Sequence, residues 1–146
     1  MATVNVYLTF NGNCEEAFTF YQSVFGGAFP YMGRFKDMPQ EGDNKPMSEA
    51  DGNKIMHVSL PISKETSLMG SDTVGEWAAG FKQGNNFSIS INAESKEEAD
   101  KLFNALSAGG QITMPMNATF WGAYFGMFTD KFGIAWMVNF DEQPKA

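Results

Sequence analysis

Residues 11–27 read "NGNCEEAFTFYQSVFGG", and residues 92–110 read "NAESKEEADKLFNALSAGG". The second stretch is an echo of the first. Glu15-Glu16-Ala17 recurs as Glu97-Glu98-Ala99, an offset of 82 residues, and the same offset carries Phe20-Tyr21 onto Leu102-Phe103, Val24 onto Leu106 and Gly27 onto Gly109. Such self-similarity at a fixed spacing marks an internal repeat. Both copies predict helices, because Ala17, Phe20, Tyr21, Val24 and Ala99, Leu102, Phe103, Leu106 recur at i, i+3, i+4, i+7 and line one helical face. Ser95 with Glu98 forms a capping box and Asn13 with Glu16 a looser one. Each helix then ends in glycine, the residue that most readily takes the left-handed conformation of a helix stop.

Strands surround each helix. "VNVYLTF" (4–10) and "FSISINA" (87–93) alternate and precede the two helices. Residues 29–35, 55–62 and 67–71 follow the first helix as strands, and 111–114, 124–129 and 134–139 follow the second. The pattern is β-α-β-β-β, twice. Residues 37–53 are a polar loop of the first copy alone, and 73–86 connect the copies. The reading is one α+β domain, 1–146, with a first βαβββ module at 1–72, a connector at 73–86 and a second module at 87–146. One helix covers only one face of a four-stranded sheet, so the other face must meet something else. The expected product is a curved eight-stranded sheet with the helices outside and a concave inner cavity.

Composition narrows the function. The chain has 146 residues, 43% of them hydrophobic, enough for a core. Its formal charge is −7, with 10 basic and 17 acidic residues, which repels phosphate backbones and argues against nucleic acid as a partner. No apolar run reaches the ~18 residues of a membrane span. The start, "MATVNVYLTF", lacks a basic segment and already alternates like a strand, so no signal peptide is expected. One cysteine, Cys14, allows no internal disulfide and suits a reducing compartment; cytoplasmic is the default expectation.

The strings "YLTFNGNCEEAFTFYQSVFGG" (7–27), "IMHVSL" (55–60), "LMGSD" (68–72) and "ATFWGAYFGMFTDKFGIAWMVNFD" (118–141), with the repeat, cover most of the chain. In them the chain resembles the vicinal oxygen chelate superfamily of glyoxalase, bleomycin-resistance and dioxygenase proteins, most closely its PhnB-like branch. The resemblance implies the repeated βαβββ fold and a homodimer. It leaves the activity open, because one fold hosts metal-dependent isomerases, dioxygenases, antibiotic-modifying enzymes and proteins that only sequester a drug. In metal-using relatives, one residue from the first and one from the last strand of each module hold the ion. The resemblance places those positions on Val6, Met69, Ser88 and Met137. None is an imidazole or carboxylate, the donors a hard divalent ion needs, and the chain has one histidine. No metal and no other cofactor is therefore expected. A methyltransferase activity finds no support either, since no glycine-rich strand–helix nucleotide motif occurs.

Strand alternation, counted from Val6, places Val6, Leu8 and Phe10 on the concave face and Tyr7 and Thr9 against the helix. The same count places Ser88, Ser90 and Asn92 on the concave face, with Phe87, Ile89 and Ile91 against the second helix. Met69, Met137, Trp121 and Tyr124 complete a candidate pocket that is apolar with a few convergent polar groups. Packed core methionines and serines on a solvated sheet face are the alternative reading of the same residues. His57, inside "IMHVSL", is a candidate general base or ligand donor; equally it reads as a half-buried strand histidine bonded to a neighbour. Its facing depends on hairpin register across 63–66. Asp72 is a partner for His57 or a cap for the connector. Cys14, in the first helical turn, reads as a small packing residue, since no second histidine exists to act as its base. The favoured function is a metal-free protein that binds a small molecule, with a metal-dependent lyase, isomerase or dioxygenase of the same superfamily as the alternative.

Overall fold

A computed structural model describes residues 2–38 and 47–142. The chain divides into two compact units, Met1–Lys82 and Gln83–Ala146. The first unit contains β1 (Val6–Phe10), α1 (Cys14–Phe25), β2 (Tyr31–Arg34), a short α2 (Glu49–Gly52), β3 (Ile55–Pro61), β4 (Ser67–Asp72) and a short α3 (Glu76–Ala79). The second contains β5 (Ile89–Asn92), α4 (Lys96–Ser107), β6 (Gln111–Ala118), β7 (Ala123–Thr129) and β8 (Ala135–Asp141). The eight strands are shared four and four, in the orders β1-β4-β3-β2 and β5-β8-β7-β6. Within each sheet the first strand pairs parallel to the last, and the remaining pairs are antiparallel. This is the βαβββ repeat the sequence predicts. Of the expected loop 37–53, positions 39–46 lie outside the described residues.

The two long helices keep the repeat offset at both ends: 12 residues each, starting at Cys14 and Lys96. The buried stripe of α1 is Cys14, Ala17, Phe18 and Tyr21, one step from the expected set, with Phe20 and Val24 only half-buried. On α4, Ala99, Phe103 and Leu106 are buried as expected, and Leu102 is half-buried. Gly26 and Gly109 follow the helices at φ 79° and 77°, where a side chain would be strained.

Helix and sheet approach closely where a strand residue has no side chain. A Cβ on Gly70 of β4 would lie 2.6 Å from the Phe18 ring and 2.8 Å from the Leu8 carbonyl oxygen. A Cβ on Gly126 of β7 would lie 2.8 Å from the Phe103 ring and 2.7 Å from the Met116 sulfur. Pro115, inside β6, sits on an edge strand whose register shifts between Met114 and Asn117, so the missing N–H disturbs no central ladder.

Candidate functional site

Each sheet turns one face to its helix; the other, termed the open face, carries half-buried and exposed side chains. On β1 the facing is the reverse of the sequence expectation. Leu8 and Phe10 are 4% and 3% exposed, and the Phe10 ring meets Phe18 of α1 edge-on at 6.1 Å. Val6, in phase with them, is half-buried. Tyr7 and Thr9 point to the open face. The offset of 82 holds for the helices but not for the strands before them: by their pairing with the last strands, Val6 and Leu8 take the places of Ile89 and Ile91 in the second unit, one residue out of step. Larger apolar side chains go where the helix can bury them. That rule, applied to "VYLTF" on its own, gives the observed facing.

The open face of the first sheet is assembled by strand register. Tyr7 pairs with Met69, Met69 with Ser59 and Ser59 with Tyr31; beside this row, Thr9 pairs with Ser71 and Gly33 with His57. Directly paired residues share a face. His57 therefore lies on the open side. Its Nδ1 and the Tyr7 hydroxyl share a hydrogen bond at 3.3 Å. The Tyr7 ring stacks on the imidazole at 5.7 Å and 28°, and the Tyr31 ring lies 5.8 Å away at 42°. Gly33 makes room for this: a Cβ there would come within 2.5 Å of the Tyr31 hydroxyl. Tyr7 and Tyr31 remain 48% and 49% exposed. Tyr31, Ser59 and Ser71 belong to this face and were absent from the sequence expectation, and Tyr7 was expected against the helix.

In the second sheet the expected facing of β5 holds. Ile89 is buried, while Ser90 and Asn92 are exposed, and so is Ser88 just before the strand. Phe87 lies outside the strand and is 56% exposed, not packed on the helix. Ser90 pairs with Met137, Met137 with Met127 and Met127 with Met114, so three thioethers cross the face in a row. Asn139 donates from Nδ2 to Asn92 Oδ1 at 3.2 Å and to Asp141 Oδ1 at 3.3 Å. Phe125 of this face meets Trp121 at 6.1 Å, and Trp121 meets Phe120 at 5.0 Å. Tyr124 is a correction: its hydroxyl donates to Asp100 of α4 at 2.6 Å, and Lys96 of α4 lies 4.8 Å over its ring. It faces the helix. The Asp100 carboxylate holds the Tyr124 phenol above its ordinary pKa of about 10.0.

Two buried carboxylates hold loops rather than ligands. Asp72 accepts the backbone N–H groups of Gly12, Cys14 and Ile55, each at 2.9 Å. It caps α1, so neither sequence reading, a partner for His57 or a cap for the connector, holds. Asp130 accepts from Phe132 and Ile134 N–H and from Trp136 Nε1 in the β7–β8 turn. Burial, then the negative charges of Asp72 and Glu15, push the Cys14 thiol far up, so it stays protonated and unreactive. Among the described residues, no three His, Cys, Asp or Glu side chains cluster as a metal would need. Of the four positions the resemblance assigns to an ion, Val6 is half-buried in phase with the helix side, Met69 pairs with Tyr7, Met137 pairs with Ser90 and Ser88 is exposed just before β5; none carries an imidazole or carboxylate. These side chains do not fit a hard divalent ion. No helix among the described residues is long and apolar enough to cross a membrane.

Two βαβββ units with these sheet orders define the glyoxalase/bleomycin resistance/dioxygenase class of folds. An enzyme of that class from Burkholderia phytofirmans PsJN shares the fold at a TM-score of 0.58 and 17% identity, over 94% of this chain and 99% of that one. Within the class the chain belongs to the PhnB-like family, whose model, described as 3-demethylubiquinone-9 3-methyltransferase, matches residues 2–139. It is 32% identical to Protein YjdN of Escherichia coli (strain K12) over 94% of both chains. The solved structure of protein PA1353 from Pseudomonas aeruginosa is 43% identical, at a TM-score of 0.80, over 97% of this chain and 98% of that one. A structure from Bacillus cereus named PhnB protein, a putative 3-demethylubiquinone-9 3-methyltransferase, is 25% identical at a TM-score of 0.72, covering 95% and 99%.

Proposed function

We propose that the chain is a small-molecule-binding protein that works without the superfamily's metal ion. One observation carries this reading: each sheet has an open face where hydrogen-bonding groups stand among rings and thioethers, the usual make-up of a small-molecule site. On the second sheet the contacts are Ser90, Asn92 and Met137, with Trp121 and Phe125 as stacking surface. On the first, Met69 lies between Tyr7 and Ser59. Val6, Leu8, Phe10 and Tyr124 leave the ligand set, because they sit on the helix side. Methyl transfer from a nucleotide cofactor is disfavoured by the sequence, which has no glycine-rich strand–helix nucleotide motif. At the two strand–helix turns Asp72 accepts the N–H groups of Gly12 and Cys14, and Ser95 Oγ accepts Glu98 N–H.

The test is native mass spectrometry of protein purified without chelator, with elemental analysis of the same sample. A co-purified organic molecule, or a chemical-library hit whose stabilisation is lost in Ser90→Leu, is the expected result. A stoichiometric divalent metal ion would overturn the metal-free reading. The same proposal includes a homodimer. Phe120, 98% exposed beside Trp121, is a candidate for its seam, and a monomeric mass in light scattering would remove that part.

A further inference from the structure

Three groups of chemistry-bearing residues stand out on the surface: the methionine row of the second sheet, the aromatic corner at Phe120 and Trp121, and the ring cluster around His57. The last has the most geometry behind it. Tyr7, His57 and Tyr31 come from three strands of the first sheet, and β4 separates β1 from β3. The Tyr7 side chain therefore crosses a strand to reach the imidazole. The bond it forms engages Nδ1 and leaves Nε2 free of that contact. The two phenol rings, each about half exposed, flank the imidazole as stacking surfaces. The neighbouring positions that share this face, Thr9, Ser59, Met69 and Ser71, carry hydroxyls and a thioether and no charge. In a chain of formal charge −7, this face offers, among the described residues paired across it, donors and rings without a carboxylate to repel an oxyanion.

We propose that Tyr7, His57 and Tyr31 form an acid–base site for a small planar oxygen-bearing ligand, a phenol or the enol of a carbonyl compound. This deepens the small-molecule reading and rests on it. The Tyr7 hydroxyl can donate to Nδ1 or accept from it; the proposed site uses the tautomer in which Nδ1–H donates to the Tyr7 oxygen and Nε2 carries the lone pair. Nε2 takes the proton of the ligand hydroxyl: the O–H bond breaks, its electron pair stays on the oxygen, and an N–H bond forms. The products are an imidazolium and an oxyanion in contact. The reverse transfer restores both, so no oxidant or further reactant enters. Tyr7 acts as a positioning residue by fixing the tautomer, and Tyr31 supplies ring contact.

Because the chain has one histidine, ¹⁵N-histidine labelling gives a single pair of ring-nitrogen signals to follow. The probe is 4-nitrophenol, whose absorbance separates phenol from phenolate. In the wild type, the probe should move the Nε2 signal more than the Nδ1 signal, with phenolate absorbance rising on binding. Tyr7→Phe keeps the ring and should leave probe affinity within about twofold, since one exposed hydrogen bond is lost. It should also shift the tautomer signature and lower the bound phenolate fraction. Tyr31→Leu should weaken binding roughly two- to tenfold through lost ring contact. Circular dichroism and the two half-exposed positions keep misfolding apart from these effects. Probe binding that leaves both nitrogen signals unmoved overturns this site while the small-molecule reading stands. No probe binding to a wild type that carries a co-purified ligand overturns the ligand class alone. An unchanged tautomer signature in Tyr7→Phe overturns the positioning role.

Discussion

Helices α1 and α4 have the same length and keep the repeat offset at both ends, yet their first turns are held in different ways. The start of α1 depends on a remote group: Asp72, at the end of β4, takes the N–H groups of Gly12, Cys14 and Ile55, and Asn13 makes no side-chain cap. The start of α4 is held locally, by Ser95 Oγ accepting from Glu98 N–H. The reciprocal half of its capping box is displaced by one residue, since the Glu98 carboxylate accepts from Glu94 rather than Ser95. One carboxylate thus ties a strand end, a loop, a helix and a second strand of the first unit together. In the second unit the comparable buried carboxylate, Asp130, ties its own hairpin through Phe132 N–H, Ile134 N–H and Trp136 Nε1. The helix is the part the two copies share, and its anchoring is the part in which they differ.

The largest expected effect breaks the remote anchor. Asp72→Ala leaves three backbone donors without an acceptor, two of them buried, and should cost about 3 kcal/mol or more, read as a fall in urea midpoint. A cost below about 1 kcal/mol would show that water replaces the carboxylate, and the contrast between the two helices would lose its energetic meaning. Next comes the helix–sheet seat. Gly70→Ala pushes a methyl into the Phe18 ring and the Leu8 carbonyl and should cost about 1–3 kcal/mol by overpacking. Gly126→Ala should do the same in the second unit through Phe103 and Met116. Similar losses at the two glycines would mean that the seats, unlike the caps, are equivalent.

The fold was legible because both helices and all eight strands carry periodic patterns. The repeat made each copy a check on the other. The site was legible only in part. Ser90 and Asn92 were placed by the alternation count along β5 and Met137 by the resemblance, and the structure turns them away from the helix side, where Ile89 is buried and Ile91 half-buried. On β1 the count started from Val6, the position set by the resemblance, and the helix offset carried it to Ser88, although the strands are one residue out of step with the helices. A slip of one inverts a strand, so Leu8 and Phe10 exchanged places with Tyr7 and Thr9. The sequence held the correction, since "VYLTF" alternates in hydrophobicity. The meeting of Tyr7, His57 and Tyr31 was not legible. It depends on the β2–β3 and β3–β4 registers, which local pattern leaves free.

The smaller predictions return to the two helices. Ser95→Ala removes the local cap of α4 and should cost about 1 kcal/mol, clearly less than the loss of Asp72. The smallest effect belongs to the first turn of α1, where Arg34 donates to both oxygens of Glu15 at 2.6 and 3.1 Å. These hydrogen bonds hold the Glu15 carboxyl below its ordinary range and the Arg34 guanidinium above its own. A depressed carboxylate contributes stability above its unfolded pKa and loses it as pH falls through the folded one. Arg34→Ala should therefore lower stability near neutral pH, and the ion-pair share of that loss should disappear in acid. Both side chains are partly exposed and screened, so about 0.2–1 kcal/mol is expected from the pair. Arg34 also donates to the Asn53 carbonyl at 2.7 Å, a bond that does not titrate. A small difference between wild type and variant should consequently persist at low pH. Urea titrations at neutral and acid pH separate the two shares, and a difference that ignores pH altogether would assign the stability to Asn53 instead of the first turn of α1.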